Sequence, residues 1–226
     1  MNSKKYKDVF YQFRYINDLK DMLCTSAELF TDDPAYLVKD VPGGEYRPIS
    51  YKQTKQDVDA LGTRLIALGL KGKRIAVIGE NSYKWVISYL GTTNGTGVIV
   101  PLDKELPPRE IINLLKRAEV SAIIYSKKLE PTVTEAVREV EGIQYRINMA
   151  AEEHTDNELS FDRLVEEGYE LIHNGDCSFL NAEIDREAMC TLLFTSGTTG
   201  LAKGVMLSHK NITANVYNMS KYVKIQ

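Results

Sequence analysis

The sequence predicts an α/β fold in which a mainly parallel, doubly wound sheet carries helices on both faces. Short apolar runs without alternation, such as Arg74 to Gly79, Gly97 to Leu102 and Ser121 to Tyr125, are typical of strands buried on both faces. The segments between these runs have apolar residues three and four positions apart, which is the periodicity of an amphipathic helix. Because each strand is followed by a helix, crossover connections are available and neighbouring strands are expected to be parallel.

The composition excludes several classes of protein. The 226 residues include 28 Lys and Arg against 31 Asp and Glu, so the formal charge of −3 lacks the basic excess that a nucleic-acid partner requires. The hydrophobic content of 43% is typical of a globular chain and excludes wholesale disorder. No apolar run reaches the length of a membrane span, and the basic start lacks the apolar core of a secretory signal. A cytoplasmic protein without a transmembrane segment is expected, with Cys24, Cys177 and Cys190 as reduced thiols.

The first part of the chain predicts two helices around a hairpin. Apolar residues from Asp18 to Phe30 recur at helical spacing. Ala35 to Val38 and Tyr46 to Tyr51 are expected to be short strands on either side of a Pro-Gly-Gly turn. Ser50 can cap the next helix, and Gly69 can end it because glycine adopts the left-handed conformation without strain.

The next units repeat the alternation of strand and helix. Ser82 to Leu90 predicts a helix, and the Pro107–Pro108 pair is expected to begin another because proline suits the first helical turn. Pro131 to Val140 predicts a further helix and Ile143 to Ile147 a further strand. Residues 18–147 are therefore predicted to be alternating α/β units.

The remaining residues predict a different organisation. Residues 148–187 begin with a polar, aperiodic stretch and are expected to be a surface excursion with one short helix, Phe161 to Glu167. Residues 188–226 predict a buried strand from Ala188 to Thr195, a loop, a strand from Val205 to Ser208 and a helix from His209 to Tyr222. The sequence then stops without a closing element, so residues 1–226 are expected to be an incomplete domain.

The predicted loop concentrates groups that bind anions. It reads Thr195-Ser196-Gly197-Thr198-Thr199-Gly200-Leu201-Ala202-Lys203-Gly204. Glycines let the backbone approach a ligand closely, and successive N–H groups can form an anion nest. Hydroxyl groups add neutral donors, and Lys203 adds a point charge suited to phosphate. A Walker A loop is excluded, because that motif requires GxxxxGK[ST] whereas Gly204 follows Lys203.

The stretch from Leu193 to Val205 resembles the signature TSGTTGxPKG of the AMP-forming acyl-CoA synthetase (adenylate-forming ligase) superfamily. It departs at Ala202, where the signature has proline, and this removes a stiffening residue but no phosphate-binding group. Leu207 to Ile212 is similar to the long-chain fatty acyl branch. Residues 49–51, 74–77, 81–85 and 97–102 also resemble the family, so the resemblance covers about residues 18–222.

This resemblance implies an ATP-dependent ligase with a doubly wound α/β N-terminal domain. In such enzymes a carboxylate attacks the α-phosphate of ATP to give acyl-adenylate and pyrophosphate, and the thiol of coenzyme A then displaces AMP. The resemblance implies that Mg²⁺ lies near Thr195. It also implies that ATP is bound by Thr195, Ser196, Gly197, Thr198, Thr199, Gly200 and Lys203.

Three features of the family are missing from the 226 residues: a Tyr-Gly-x-Thr-Glu segment, a ribose-binding aspartate and a catalytic lysine near the far C-terminus. No catalytic residue is therefore assigned, and the chain is expected to be the inactive N-terminal part of a longer enzyme. His209 is expected to cap or pack, rather than act as a base, because it lies where a helix begins.

The expected substrate is a small carboxylic acid, and the long-chain resemblance favours a fatty acid. Two alternatives stay open: an adenylation domain that loads an amino acid or aryl acid onto a carrier protein, and a non-catalytic nucleotide-binding module. Contact with a membrane surface is also left open. Apolar surface at the end of the fragment is expected to favour self-association.

Overall fold

The computed structural model describes residues 14–39, 41, 43–195 and 202–222, with the backbone alone for 220–222. In these ranges the strands are β1 Pro34–Val38, β2 Arg47–Ser50, β3 Arg74–Ile78, β4 Val98–Leu102, β5 Ala122–Tyr125, β6 Tyr145–Asn148, β7 Leu159–Ser160, β8 Met189–Thr195 and β9 Lys203–Ser208. The helices are α1 Leu19–Phe30, α2 Tyr51–Ala67, α3 Tyr83–Gly91, α4 Pro108–Ala118, α5 Glu130–Glu139, α6 Phe161–His173 and α7 His209–Tyr222. A π-helical turn, Thr92–Thr96, extends α3, and a 3₁₀ turn, Lys127–Leu129, precedes α5.

Seven strands form one sheet in the order β7-β6-β5-β3-β4-β8-β9. All neighbouring pairs are parallel except β8 and β9, which form an antiparallel hairpin at the edge. β1 and β2 form a separate two-stranded sheet. The chain passes from β3 to β4 on one side and then returns to β5 on the other, which makes the sheet doubly wound and confirms the predicted fold class.

Helices cover both faces of this sheet. On one face, Ile75 and Val77 of β3 lie in a buried cluster with residues of α2, α3 and α6, such as Leu61. On the other face, Ala76 and Ile78 of the same strand lie in a second cluster with residues of α4 and α5. Because successive side chains of a strand point to opposite faces, a strand between two helical layers must be apolar at every position. This explains the continuous apolar runs in the sequence.

Several helix boundaries follow from single residues that the sequence identifies. Ser50 Oγ accepts the backbone N–H of Gln53 at 3.1 Å, and Ser82 Oγ accepts the N–H of Trp85 at 3.2 Å, so both serines are N-caps. Gly69, the second residue after the end of α2, has a φ of +79°, and α4 begins at Pro108. These four predictions are confirmed.

The segment predicted to be a surface excursion contributes to the core. It contains β7, which joins the edge of the sheet beside β6, and α6, which has 13 residues rather than the predicted seven. A Cβ atom at Gly168 would lie 2.0 Å from the backbone oxygen of Ala60, so α6 and α2 are in backbone contact there. Glycine has a low helix propensity, but this packing against α2 allows α6 to continue past Gly168. The predicted end of the helix at Glu167 is therefore wrong.

The sequence predicts reduced cysteines and no membrane-spanning segment. Cys24, Cys177 and Cys190 are all free thiols, as predicted. Among the described helices, none is both long enough and apolar enough to cross a bilayer.

Candidate functional site

The β8–β9 hairpin carries the two described ends of the predicted phosphate-binding loop. Thr195 is the last residue of β8, Lys203 is the first residue of β9, and the two are register partners. Opposed residues in an antiparallel pair have their Cβ atoms about 4.5–5.5 Å apart, on the same face of the sheet. Both residues are exposed. The other predicted ligands, Ser196, Gly197, Thr198, Thr199 and Gly200, lie outside the described residues.

The hairpin end lies at the edge of the sheet where parallel α/β sheets bind ligands. β8 runs parallel to β4, so Thr195 lies at the same edge as Leu102, the carboxyl end of β4. Ligands of doubly wound sheets bind beyond the carboxyl ends of their strands. A cavity of about 180 Å³ opens there, lined among others by Asp103, Glu110 and Thr195. This position agrees with a ligand site at the loop.

The two faces of β8 differ in their surroundings. Leu192 and Phe194 pack against the cluster formed with α4 and α5. On the opposite face, the Thr191 hydroxyl lies 2.8 Å from the hydroxyl of Tyr89 on α3. Thr195 shares that face because side chains alternate along a strand. Because Lys203 is opposite Thr195 in register, the side chains of both residues lie on this face of the hairpin.

Arg117, at the C-terminal end of α4, contacts the base of this hairpin. Its Nη1 donates a hydrogen bond to the carbonyl oxygen of Ala202 at 2.7 Å, and its guanidinium carbon lies 5.5 Å from the centre of the Phe194 ring. Sequence reasoning missed this residue, because a basic side chain in the last turn of a helix is an ordinary partner of the helix dipole. No local motif marks it.

His209 is the first residue of α7 and is buried. Its Nδ1 accepts the backbone N–H of Leu19 at 3.2 Å, so the ring proton resides on Nε2, which donates to the carbonyl of Thr93 at 3.1 Å. Burial lowers the pKa of the ring. A neutral histidine with both nitrogens bonded to backbone has a packing role, as predicted.

The most strongly perturbed tyrosines lie elsewhere. Asp57 on α2 accepts hydrogen bonds from Tyr83 at 2.5 Å, Tyr169 at 2.7 Å and Gln53 at 2.9 Å. Burial, reinforced by the Asp57 carboxylate, raises the pKa of both phenols. These groups join α2, α3 and α6 to one another. Perturbed pKa values often mark catalytic sites, but here they accompany a structural network.

A cavity of about 790 Å³ lies away from the hairpin. It lies at the carboxyl ends of β3, β5 and β6 under the β1–β2 hairpin, with Tyr36, Glu80, Ser126 and Met149 in its wall. Of the predicted site residues, the two that the structure describes, Thr195 and Lys203, do not line it. Within the described ranges, no three His, Cys, Asp or Glu side chains come together as a metal site.

The chain is similar to ligases that are named for two different thiol acceptors, coenzyme A and an acyl carrier protein. The chain is 31% identical over 186 residues to fatty acyl-CoA synthetase A of Dictyostelium discoideum, covering 80% of this chain and 27% of that protein. It is 26% identical over 192 residues to a chloroplastic long-chain-fatty-acid–[acyl-carrier-protein] ligase of Arabidopsis thaliana, covering 79% of this chain and 26% of that protein. The chain thus spans about a quarter of the length of these relatives.

The fold is also that of known structures. The crystal structure of an anthranilate CoA ligase in complex with anthranoyl-AMP matches with a TM-score of 0.76 and 21% identity, over 92% of this chain and 38% of the other. The model of the AMP-binding enzyme family matches residues 24–226. Because that match includes most of the chain, the protein belongs to the AMP-binding enzyme family of adenylate-forming ligases.

Proposed function

We propose that this chain is the N-terminal part of an enzyme that activates a fatty acid carboxylate with ATP and transfers the acyl group to coenzyme A. The carboxylate displaces pyrophosphate from the α-phosphate to give acyl-adenylate, and the thiol then displaces AMP. The observation that carries the proposal is the placement of Thr195 opposite Lys203 at the carboxyl end of β8. Membership of an AMP-binding family supports it.

In this proposal the hairpin end binds the β- and γ-phosphates of ATP. The ammonium of Lys203 compensates their charge, while hydroxyls of Thr195, Ser196, Thr198 and Thr199 donate hydrogen bonds. Gly197 and Gly200 leave room for backbone N–H groups to approach the phosphate oxygens. Fixing the phosphates in this way would hold the α-phosphate in line with the attacking carboxylate.

Mg²⁺ fits this arrangement as a companion of ATP. Magnesium usually keeps several waters and binds through substrate phosphates together with one or two protein oxygens. The exposed hydroxyl of Thr195 can supply one such oxygen.

A fatty acid is the preferred substrate because two observations agree on it. The Dictyostelium relative is named a fatty acyl-CoA synthetase, and the Leu207 to Ile212 segment resembles the long-chain branch. The alternative is an adenylation domain that loads an amino acid or aryl acid onto a carrier protein. A third candidate, a non-catalytic nucleotide-binding module, would bind ATP without forming an adenylate.

We further propose that residues 1–226 form an incomplete N-terminal domain. Residues 18–147 would be its alternating units, residues 148–187 a segment that adds β7 and α6 to them, and residues 188–226 its phosphate-binding part. The chain spans 27% of the Dictyostelium relative, so the remaining partners of ATP and of the acid would lie on further segments. The 226 residues alone are then inactive.

The test is to incubate the complete gene product with ATP, Mg²⁺, coenzyme A and a panel of acids. The panel includes long-chain and medium-chain fatty acids, aryl acids and amino acids. Formation of AMP and a fatty acyl thioester supports the proposal. Preferential use of an amino acid or aryl acid, or transfer only to a carrier protein, favours the alternative. ATP binding without AMP formation favours the non-catalytic module.

A further inference from the structure

The ends of β8 and β9 extend beyond the part of the sheet that holds them. β8 is paired with β4 at Thr191 and Ile99. Two residues further along β4, Pro101 has no N–H to donate to a neighbouring strand, and Ile99–Thr191 is the pair that joins β4 to β8 in the described structure. β9 is an edge strand with β8 as its neighbour. In the described structure, side-chain contacts therefore help to hold the tip of the hairpin against the rest of the sheet.

Arg117 makes such contacts with both strands. Its hydrogen bond ends on the carbonyl of Ala202, the residue before Lys203, and its guanidinium faces the ring of Phe194, the residue before Thr195. One side chain thus joins the carboxyl end of β8 to the beginning of β9.

The helix that carries Arg117 is rigidly placed. Leu114, Leu115 and Ala118 of α4 are all buried in the cluster on that face of the sheet. Arg74 also donates a hydrogen bond to the carbonyl of Ala118 at 2.9 Å. Because the helix cannot shift without disturbing this core, Arg117 can transmit its position to the hairpin.

We infer that Arg117 is a positioning residue that fixes Thr195 and Lys203 relative to each other and to the sheet. This inference rests on the proposed function, in which those two residues bind the phosphates of ATP. The sequence at position 202 adds to the argument. The family signature has a stiff proline there, whereas this chain has Ala202, whose carbonyl is held from outside by Arg117.

The role predicts a specific kinetic signature in the complete gene product. Arg117→Met removes the charge and the donor but keeps an unbranched side chain over Phe194. It should raise the KM for ATP by about ten-fold, as for the loss of one hydrogen bond from a charged group. The KM values for the acid and for coenzyme A should change less than two-fold. Arg117→Lys keeps a charged donor and should restore part of the ATP affinity.

A matched control lies on the same helix. Arg109 is exposed and forms an ion pair with Glu139 of α5 at 2.8 Å, and among the described residues its side-chain hydrogen bonds go to Glu139 and not to the hairpin. Arg109→Met should leave the KM for ATP within two-fold of the wild type. Thermal unfolding of all variants shows whether any loss of ATP affinity reflects general destabilisation.

Binding of MgATP and of inorganic pyrophosphate by calorimetry provides a readout besides turnover. Weaker binding by Arg117→Met but not Arg109→Met supports the inference. Wild-type affinity in Arg117→Met overturns it, as does an equal loss for ATP, acid and thiol with a lowered melting temperature. A wild-type protein that binds ATP without adenylate formation overturns the proposed function alone. A folded wild-type protein that binds neither phosphate compound overturns both.

Discussion

Thr195 and Lys203 are register partners at the loop end of the β8–β9 hairpin, with both side chains exposed. The hydroxyl and the ammonium lie on one face of an edge hairpin, at the carboxyl side of a parallel sheet. A cation and a neutral donor so placed are suited to a polyphosphate that approaches from solvent. The two residues therefore define the centre of the proposed site.

Lys203→Ala in the complete gene product should weaken the use of ATP by about ten- to a hundred-fold, because one charge-assisted hydrogen bond contributes about 1.5–3 kcal/mol. The measurement is kcat/KM for ATP in pyrophosphate exchange. Lys210→Ala is the control, since Lys210 is exposed and pairs with Glu187 at 2.7 Å. Equal activity of the Lys203 variant and the wild type would remove Lys203 from the site.

The 226-residue chain alone should bind ATP weakly and should not catalyse pyrophosphate exchange. The hairpin supplies donors for the polyphosphate, whereas adenine, ribose and the α-phosphate would lack their partners. Binding through exposed charges should weaken as salt rises. Calorimetric titration at low and high salt measures this, and robust carboxylate-dependent exchange by the chain alone would prove the expectation wrong.

His209 should make the stability of the chain depend on pH. Its pKa in the folded state lies below the usual value near 6.5, so the unfolded chain binds more protons as the pH falls below that value. The contribution of the neutral ring is present above about pH 6.5 and is lost as the pH falls towards the folded pKa. Urea unfolding at a series of pH values measures it.

Two variants isolate this effect. His209→Gln should reduce the pH dependence below about pH 6.5, because the titrating group is gone. Substitution of the exposed Asn174 by Gln adds no titrating group and is the control. An unchanged pH profile in His209→Gln would assign the dependence to other groups.

Gly168→Ala should lower the free energy of unfolding by about 1–3 kcal/mol, because the new methyl group would collide with the backbone oxygen of Ala60. Backbone cannot move aside as a flexible side chain can. Glu170→Ala, on the exposed side of α6, is the matched control and should change the free energy of unfolding by less than about 0.5 kcal/mol. A neutral or stabilising Gly168→Ala would show that α6 and α2 are not in backbone contact.

Local signals in the sequence predict much of this fold. The strand β3 and the caps Ser50 and Ser82 follow from short stretches, because burial on both faces and N-capping leave a local pattern. The length of α6 cannot be predicted from a short stretch, because it depends on contact with α2, which is far away in the sequence. Tertiary packing overrides the helix propensity of Gly168.

The candidate site also contains residues that the sequence predicts and a residue that only the structure identifies. A contiguous motif identifies Thr195 and Lys203, and the structure adds that they are opposed in register. Arg117 precedes Ala202 by 85 positions in the sequence, so only the folded chain brings its guanidinium to the carbonyl of that residue. Residues that act through long-range contacts carry no local signal.

The central claim is that this chain belongs to an enzyme that forms acyl-adenylates from fatty acids. The most direct test is ATP–pyrophosphate exchange by the complete gene product, measured with and without a long-chain fatty acid and before any thiol is added. We expect exchange that requires the fatty acid and Mg²⁺ and that falls about ten- to a hundred-fold in Lys203→Ala. A folded, ATP-binding protein that shows no exchange with any carboxylic acid, or that releases ADP instead of AMP, would contradict it.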